Sequence, residues 1–256
     1  WRECAIALRN TIKKDRIQLW SMLASRYQKS DRWFLEALGI GADGIWDEVM
    51  PIYLNTHKDI SHDYVKEILW RSRSKHSLMA LQKLASESKG QEQLKYIRSF
   101  DFINDPVKNQ ILLELVKSTN DSAISLTLIK SLDPKQIKSN AQAMAKVMAT
   151  IETSTGEVYM DLIERFYPND QITKLSGIVK AENLSAALKS RAGKALVKLS
   201  SIRALYDLYT SAAENEKKTI LTVLGSISSN ESINLINQII KLNESPDLVK
   251  EAYKNM

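Results

Sequence analysis

Two stretches of this chain carry the same plan 28 residues apart, and that spacing leaves few folds open to it. Leu196-Val197-Lys198-Leu199-Ser200-Ser201 and Leu224-Gly225-Ser226-Ile227-Ser228-Ser229-Asn230 each read as a helix end and a short polar turn into the next helix. Leu115-Val116-Lys117-Ser118-Thr119-Asn120-Asp121 is a third copy. The segments that follow place apolar residues at helical intervals: Ile124, Leu128 and Leu132; Ile202, Leu205, Tyr206 and Tyr209; Ile233, Ile236 and Ile240. Asp105-Pro106, Asp133-Pro134 and Ser245-Pro246 have the form of a helix cap followed by proline at the first helical position. A period of about 28 to 30 residues with two helices per unit predicts an α-solenoid, because a single pair cannot bury its apolar side without a stacked neighbour. Only 8 glycines and 5 prolines interrupt the chain, and no β-branched run alternates with polar residues, so no sheet is expected. The predicted class is all-α, an α-α superhelix of helix pairs running as a single solenoid over 1–256.

Residues 1–90 fit that period less well than 91–256. Ile6, Ala7 and Leu8 suggest one short helix, and Ile17, Trp20, Leu23 and Ala24 its partner. Cys4, the sole cysteine, reads as a small core residue beside them and excludes an internal disulfide. Phe34, Leu35 and Leu38 share a face after a cap at Ser30 or Asp31, and glycines at 39, 41 and 44 should then break the helix. Helix resumes from Trp46, with Pro51 expected to kink or restart it. Val65, Ile68 and Leu69 pair across a basic turn with Leu78, Leu81, Leu84 and Ala85, and Lys135 to Glu152 reads as one long helix.

The net charge is +6, but Lys and Arg alternate with Asp and Glu along nearly every predicted helix, which favours solvated faces over a nucleic-acid footprint. No apolar window is long enough to span a membrane. There is no starting Met and no leader, and the chain is expected to be a piece of a longer polypeptide.

All five tryptophans, at 1, 20, 33, 46 and 70, lie in the first 70 residues. Most are expected to fill gaps between helices. Trp33 and Trp46, beside the glycines and Asp31, Arg32 and Glu36, are the best candidates for a contact surface, since Trp anchors dominate interfaces and stack on sugars. Trp70 with Arg71 and Arg73, followed by Lys75 and His76, has the composition of a patch that grips phosphates, although cations also suit the end of the preceding helix. The three histidines show no metal-ligand spacing, and no nucleophile elbow or phosphate loop is present, so neither a metal site nor a reaction is expected.

The helix-turn-helix units resemble HEAT repeats. Arg2-Glu3-Cys4-Ala5-Ile6-Ala7-Leu8-Arg9 and Asp31-Arg32-Trp33-Phe34-Leu35-Glu36-Ala37-Leu38-Gly39 resemble the HEAT-like segment of large bacterial multidomain proteins. Those proteins join a sugar-dehydrogenase-like β-propeller, helical repeats and a c-type cytochrome domain. The resemblance covers roughly the first fifty residues and is generic beyond them. It implies a periplasmic or exported polypeptide whose helical part spaces and docks its neighbours. The chain has no Cys-x-x-Cys-His motif, so haem c and any redox activity would belong to a neighbouring domain and no cofactor is expected here. The leading reading is a non-catalytic scaffold that binds other domains of its polypeptide or a partner protein. A nucleic-acid-binding HEAT-like protein with a basic concave face stands second, and a carbohydrate contact through Trp33 and Trp46 third.

Overall fold

A computed structural model describes residues 1–256. It is all-α, with 18 helices and no strand. The chain divides into two compact units, Trp1–Val147 and Met148–Met256.

In the first unit the helices are α1 (Arg2–Ala7), α2 (Lys13–Ala24), α3 (Arg32–Gly41), α4 (Trp46–Thr56), α5 (Asp63–Arg71) and α6 (Leu78–Glu87). They continue as α7 (Gly90–Ser99), α8 (Val107–Ser118), α9 (Ser122–Ser131) and α10 (Pro134–Lys138), and the division falls inside α11 (Ala141–Thr153). Odd-numbered helices pack in sequence, α1 on α3, α3 on α5, α5 on α7 and α7 on α9. Even-numbered ones do the same where α2 meets α4 and α6 meets α8. Two rows of helices result, as expected when each pair covers the apolar face of the next. The core between them holds Trp20, Phe34, Leu38, Val49, Met50, Ile68, Leu69, Leu81 and Phe100, all nearly sealed from solvent.

In the second unit α12 (Gly156–Phe166), α14 (Ala186–Leu199), α16 (Glu214–Gly225) and α18 (Pro246–Lys254) form one packed row. Against it lie α13 (Ile172–Lys180), α15 (Arg203–Ser211) and α17 (Asn230–Leu242). Ser185, Ser229 and Ser245 cap α14, α17 and α18 by accepting the N–H three residues on.

Several local expectations are corrected. Cys4 is exposed, because α1 turns Ala5 inward instead, with Leu8 buried just after its end. The helix expected over Lys135 to Glu152 is two, since the Asn140 side chain accepts the Ala143 N–H at 3.0 Å and caps a fresh start. Pro51 stays inside α4; both it and Asp47, whose carbonyl would have bonded to residue 51, are exposed, so water can replace the missing N–H. Gly39 and Gly41 lie within α3, and of the three glycines in this cluster Gly44 alone uses a positive φ, +75°. In α17 the buried face is Leu235, Ile236 and Ile239, with Ile233 exposed, because Ser232 turns inward to donate to the Leu224 carbonyl.

Candidate anion-binding site

The segments after α1, α3, α5 and α7 meet along one edge of the first unit, around two adjoining hollows of about 510 and 500 Å³. Arg9 follows α1, Asp43 follows α3, Arg71 ends α5 with Arg73 just beyond, and Arg98 lies in the last turn of α7. The carbonyl end of a helix carries partial negative charge, which draws cations there. Arg16, from α2, supplies the clearest case: its Nε donates to the Gly41 carbonyl at 2.8 Å and its Nη2 to the Asp43 carbonyl at 2.5 Å.

The first hollow is lined by Arg9, Arg16, Asp43, Arg71 and Arg73 together with Gly39, Ile40 and Trp46. The second has Arg32, Glu36, Trp70, Lys95, Arg98 and Phe102 around the same Arg71 and Arg73. Glu36 is clamped between Arg32 at 2.6 Å and Arg71 at 2.8 Å. The Arg71 guanidinium lies so close over Gly39 that a Cβ there would stand 2.4 Å from its Cζ. Glycine at 39 is therefore what lets Arg71 lie flat on α3.

Arg73 is held by its own loop. From 72 to 74 the backbone is extended, so side chains alternate: Ser72 and Ser74 are fully buried, while Arg71 and Arg73 are half-buried and Lys75 is exposed. Ser77 donates to the Ser72 hydroxyl at 2.7 Å, and Ser74 to Asp47 at 2.7 Å. Arg73 donates to the Ser72 carbonyl and stacks 4.0 Å over Phe102. It has no carboxylate partner, and burial, followed by the neighbouring Arg71 charge, lowers its affinity for its proton. The Trp70 ring likewise serves as a support, with Arg32 at 4.7 Å and Lys95 at 4.9 Å over it.

Of the residues picked out from sequence, Arg32, Glu36, Trp46, Trp70, Arg71 and Arg73 line these two hollows. Asp31 lies apart, capping α3 through the Phe34 N–H at 2.9 Å and pairing with Arg2 at 2.9 Å; these two, in that order, hold its carboxyl below the usual range. Trp33 and Trp46 do not form the expected pair. Trp46 is 7% exposed and packs edge-on against Trp20 in the core, while Trp33 is 72% exposed. Arg9, Arg16, Lys95, Arg98 and Phe102 were not foreseen; only the Lys95 and Arg98 pair, one turn apart on a helix with no acid between them, left a readable signal.

Charge is more localised than its alternation in sequence suggests. Met148–Met256 has thirteen Lys and Arg against thirteen Asp and Glu, so the whole net charge of +6 falls in Trp1–Val147. Around the two hollows stand seven cations and two carboxylates. No three His, Cys, Asp or Glu side chains are grouped to hold a metal ion, and no helix is long and apolar enough to cross a membrane. The chain matches no protein-family model, and no curated protein is significantly similar to it.

Proposed function

We propose that the chain is a non-catalytic docking module, a stack of helix pairs whose basic edge in the first unit holds an acidic surface. That surface belongs to a neighbouring domain of the same polypeptide or to a partner protein. The observation that carries this reading is the gathering of seven cations against two carboxylates, four of the cations, Arg16, Arg32, Arg73 and Lys95, being steadied by carbonyls or rings. Structural ion pairing would instead match the charges one to one, as Lys217 with Glu244 and Lys180 with Glu216 do in the second unit. The resemblance of the first fifty residues supplies a setting: an exported polypeptide in which this part spaces a propeller dehydrogenase from a haem domain. Haem c and redox chemistry would reside in those neighbours.

The test is to express the segments encoded on either side of this chain and measure their binding to it. Arg73→Glu with Arg98→Glu should weaken binding at least tenfold at low salt, in line with the cost of losing charged contacts. Unchanged affinity overturns the proposal. A short DNA duplex bound more tightly than either segment, with a steep salt slope, would transfer the edge to a phosphodiester backbone.

A further inference from the structure

We infer that the first hollow is a discrete site for a phosphate monoester dianion; this rests on the reading of the basic edge as the binding face and names what its all-arginine part accepts. Four guanidinium groups line it, and only Arg71 has a carboxylate partner, Glu36. Arg16 is fixed by two backbone carbonyls, which orient it without cancelling its charge. Arg73 is fixed by the Ser72 carbonyl and the Phe102 ring, which likewise leave its charge whole. Arg9 makes no hydrogen bond or ion pair. Three unmatched cations face a single carboxylate, Asp43, and leave two positive charges in a hollow of about 510 Å³.

A lone carboxylate would neutralise half of that excess. A phosphate monoester carries a charge of about −1.5 to −2 at neutral pH and offers three acceptor oxygens, matching both the charge and the number of unpaired guanidinium groups. Planar guanidinium forks suit such oxygens better than ammonium groups do, and every cation here is arginine. Gly39, Ile40 and Trp46 complete the lining beside the arginines. The monoester could be free, as a small phosphate, or carried on a phosphorylated side chain.

Calorimetry on the full chain tests this with four probes: inorganic phosphate, a phosphoserine peptide, dimethyl phosphate and acetate. The first two should bind at one site, and the stronger of them identifies the source. Dimethyl phosphate, a monoanion, and acetate should bind at least tenfold more weakly. Arg9→Gln, at an exposed position without partners, should keep the fold by circular dichroism and lower phosphate affinity about tenfold. Lys198→Gln in the second unit should leave it unchanged. Equal binding of all four anions, or an unaltered affinity in Arg9→Gln, overturns the inference. If no anion binds while docking of the flanking segments still weakens on reversal of Arg73 and Arg98, this inference fails alone; if docking is also insensitive, the parent reading fails with it.

Discussion

At the scale of single residues, the first unit contains one group whose removal should help. The Tyr53 hydroxyl is buried without a hydrogen-bond partner, and burial raises its pKa, while the ring itself packs edge-on against Trp20 and stacks on His57 at 4.2 Å. An unpaired buried hydroxyl costs about 1–3 kcal/mol, so Tyr53→Phe, which keeps the ring, should raise the midpoint of thermal unfolding. A lower midpoint would mean that the hydroxyl has a partner such as an ordered water. Gly41 predicts the opposite sign, because a Cβ there would stand 2.6 Å from the Ala5 carbonyl oxygen, a backbone atom that cannot swing aside. Gly41→Ala should therefore force α1 away from α3 and cost about 1–3 kcal/mol, measurable by urea denaturation. Asp31 links stability to pH. Its folded carboxyl is held low, first by the Phe34 N–H and then by Arg2, so its stabilisation is present above the unfolded pKa and disappears as pH falls through the folded one. Replacing it with Asn should flatten the acid limb of the stability profile below about pH 4 and leave the neutral-to-basic limb parallel to that of the wild type.

At the scale of elements, helices were legible where periodicity and capping agreed. Val65, Ile68 and Leu69, and Leu78, Leu81, Leu84 and Ala85, are buried as their spacing requires, and Asp133 caps α10 through the Lys135 N–H at 2.8 Å. Where one polar side chain chose between alternatives, periodicity did not decide. Asn140 divides a run whose apolar pattern reads straight through, and buried Ser232 rotates α17 by pinning its start. The glycines at 39 and 41 were legible as unusual but not in their use, since what occupies the space above them comes from α5 and α1. The candidate site was half legible for the same reason. Arg71 and Arg73 stand beside Trp70 in the sequence, whereas Arg9 and Arg98 join them only because odd-row helices end on one edge, and Arg16 only because it reaches from α2 to the Gly41 and Asp43 carbonyls. The alternation of serine and arginine over 71–74 is the link between the two scales. Ser74→Ala removes the bond to Asp47 and the acceptor of the His76 N–H, so it should loosen the loop that carries Arg73. Faster amide exchange confined to residues 72–77, with helices unchanged, is the expected result.

At the scale of the whole molecule, two units of similar construction differ in what their charges do. The second balances thirteen cations with thirteen carboxylates and folds some of them into local pairs such as Lys217 with Glu244 at 2.6 Å. The first carries the entire excess and concentrates it along one edge. A field that arises from seven cations and two carboxylates acts before contact, because it raises the local concentration of an approaching anion and speeds its capture. Contacts at the rim of such an edge govern association more than dissociation. A fluorescent polyglutamate peptide should therefore bind the full chain with an association rate that falls steeply as salt rises from low to physiological concentration, where the Debye length shrinks to about 8 Å. Reversing Arg73 and Arg98 together should slow that association and flatten its salt dependence. Reversing Lys198 and Arg203 in the second unit makes the same change in net charge and should leave both nearly as they were. Equal effects from the two pairs would mean that total charge alone attracts the peptide, and that the edge has no special part in it.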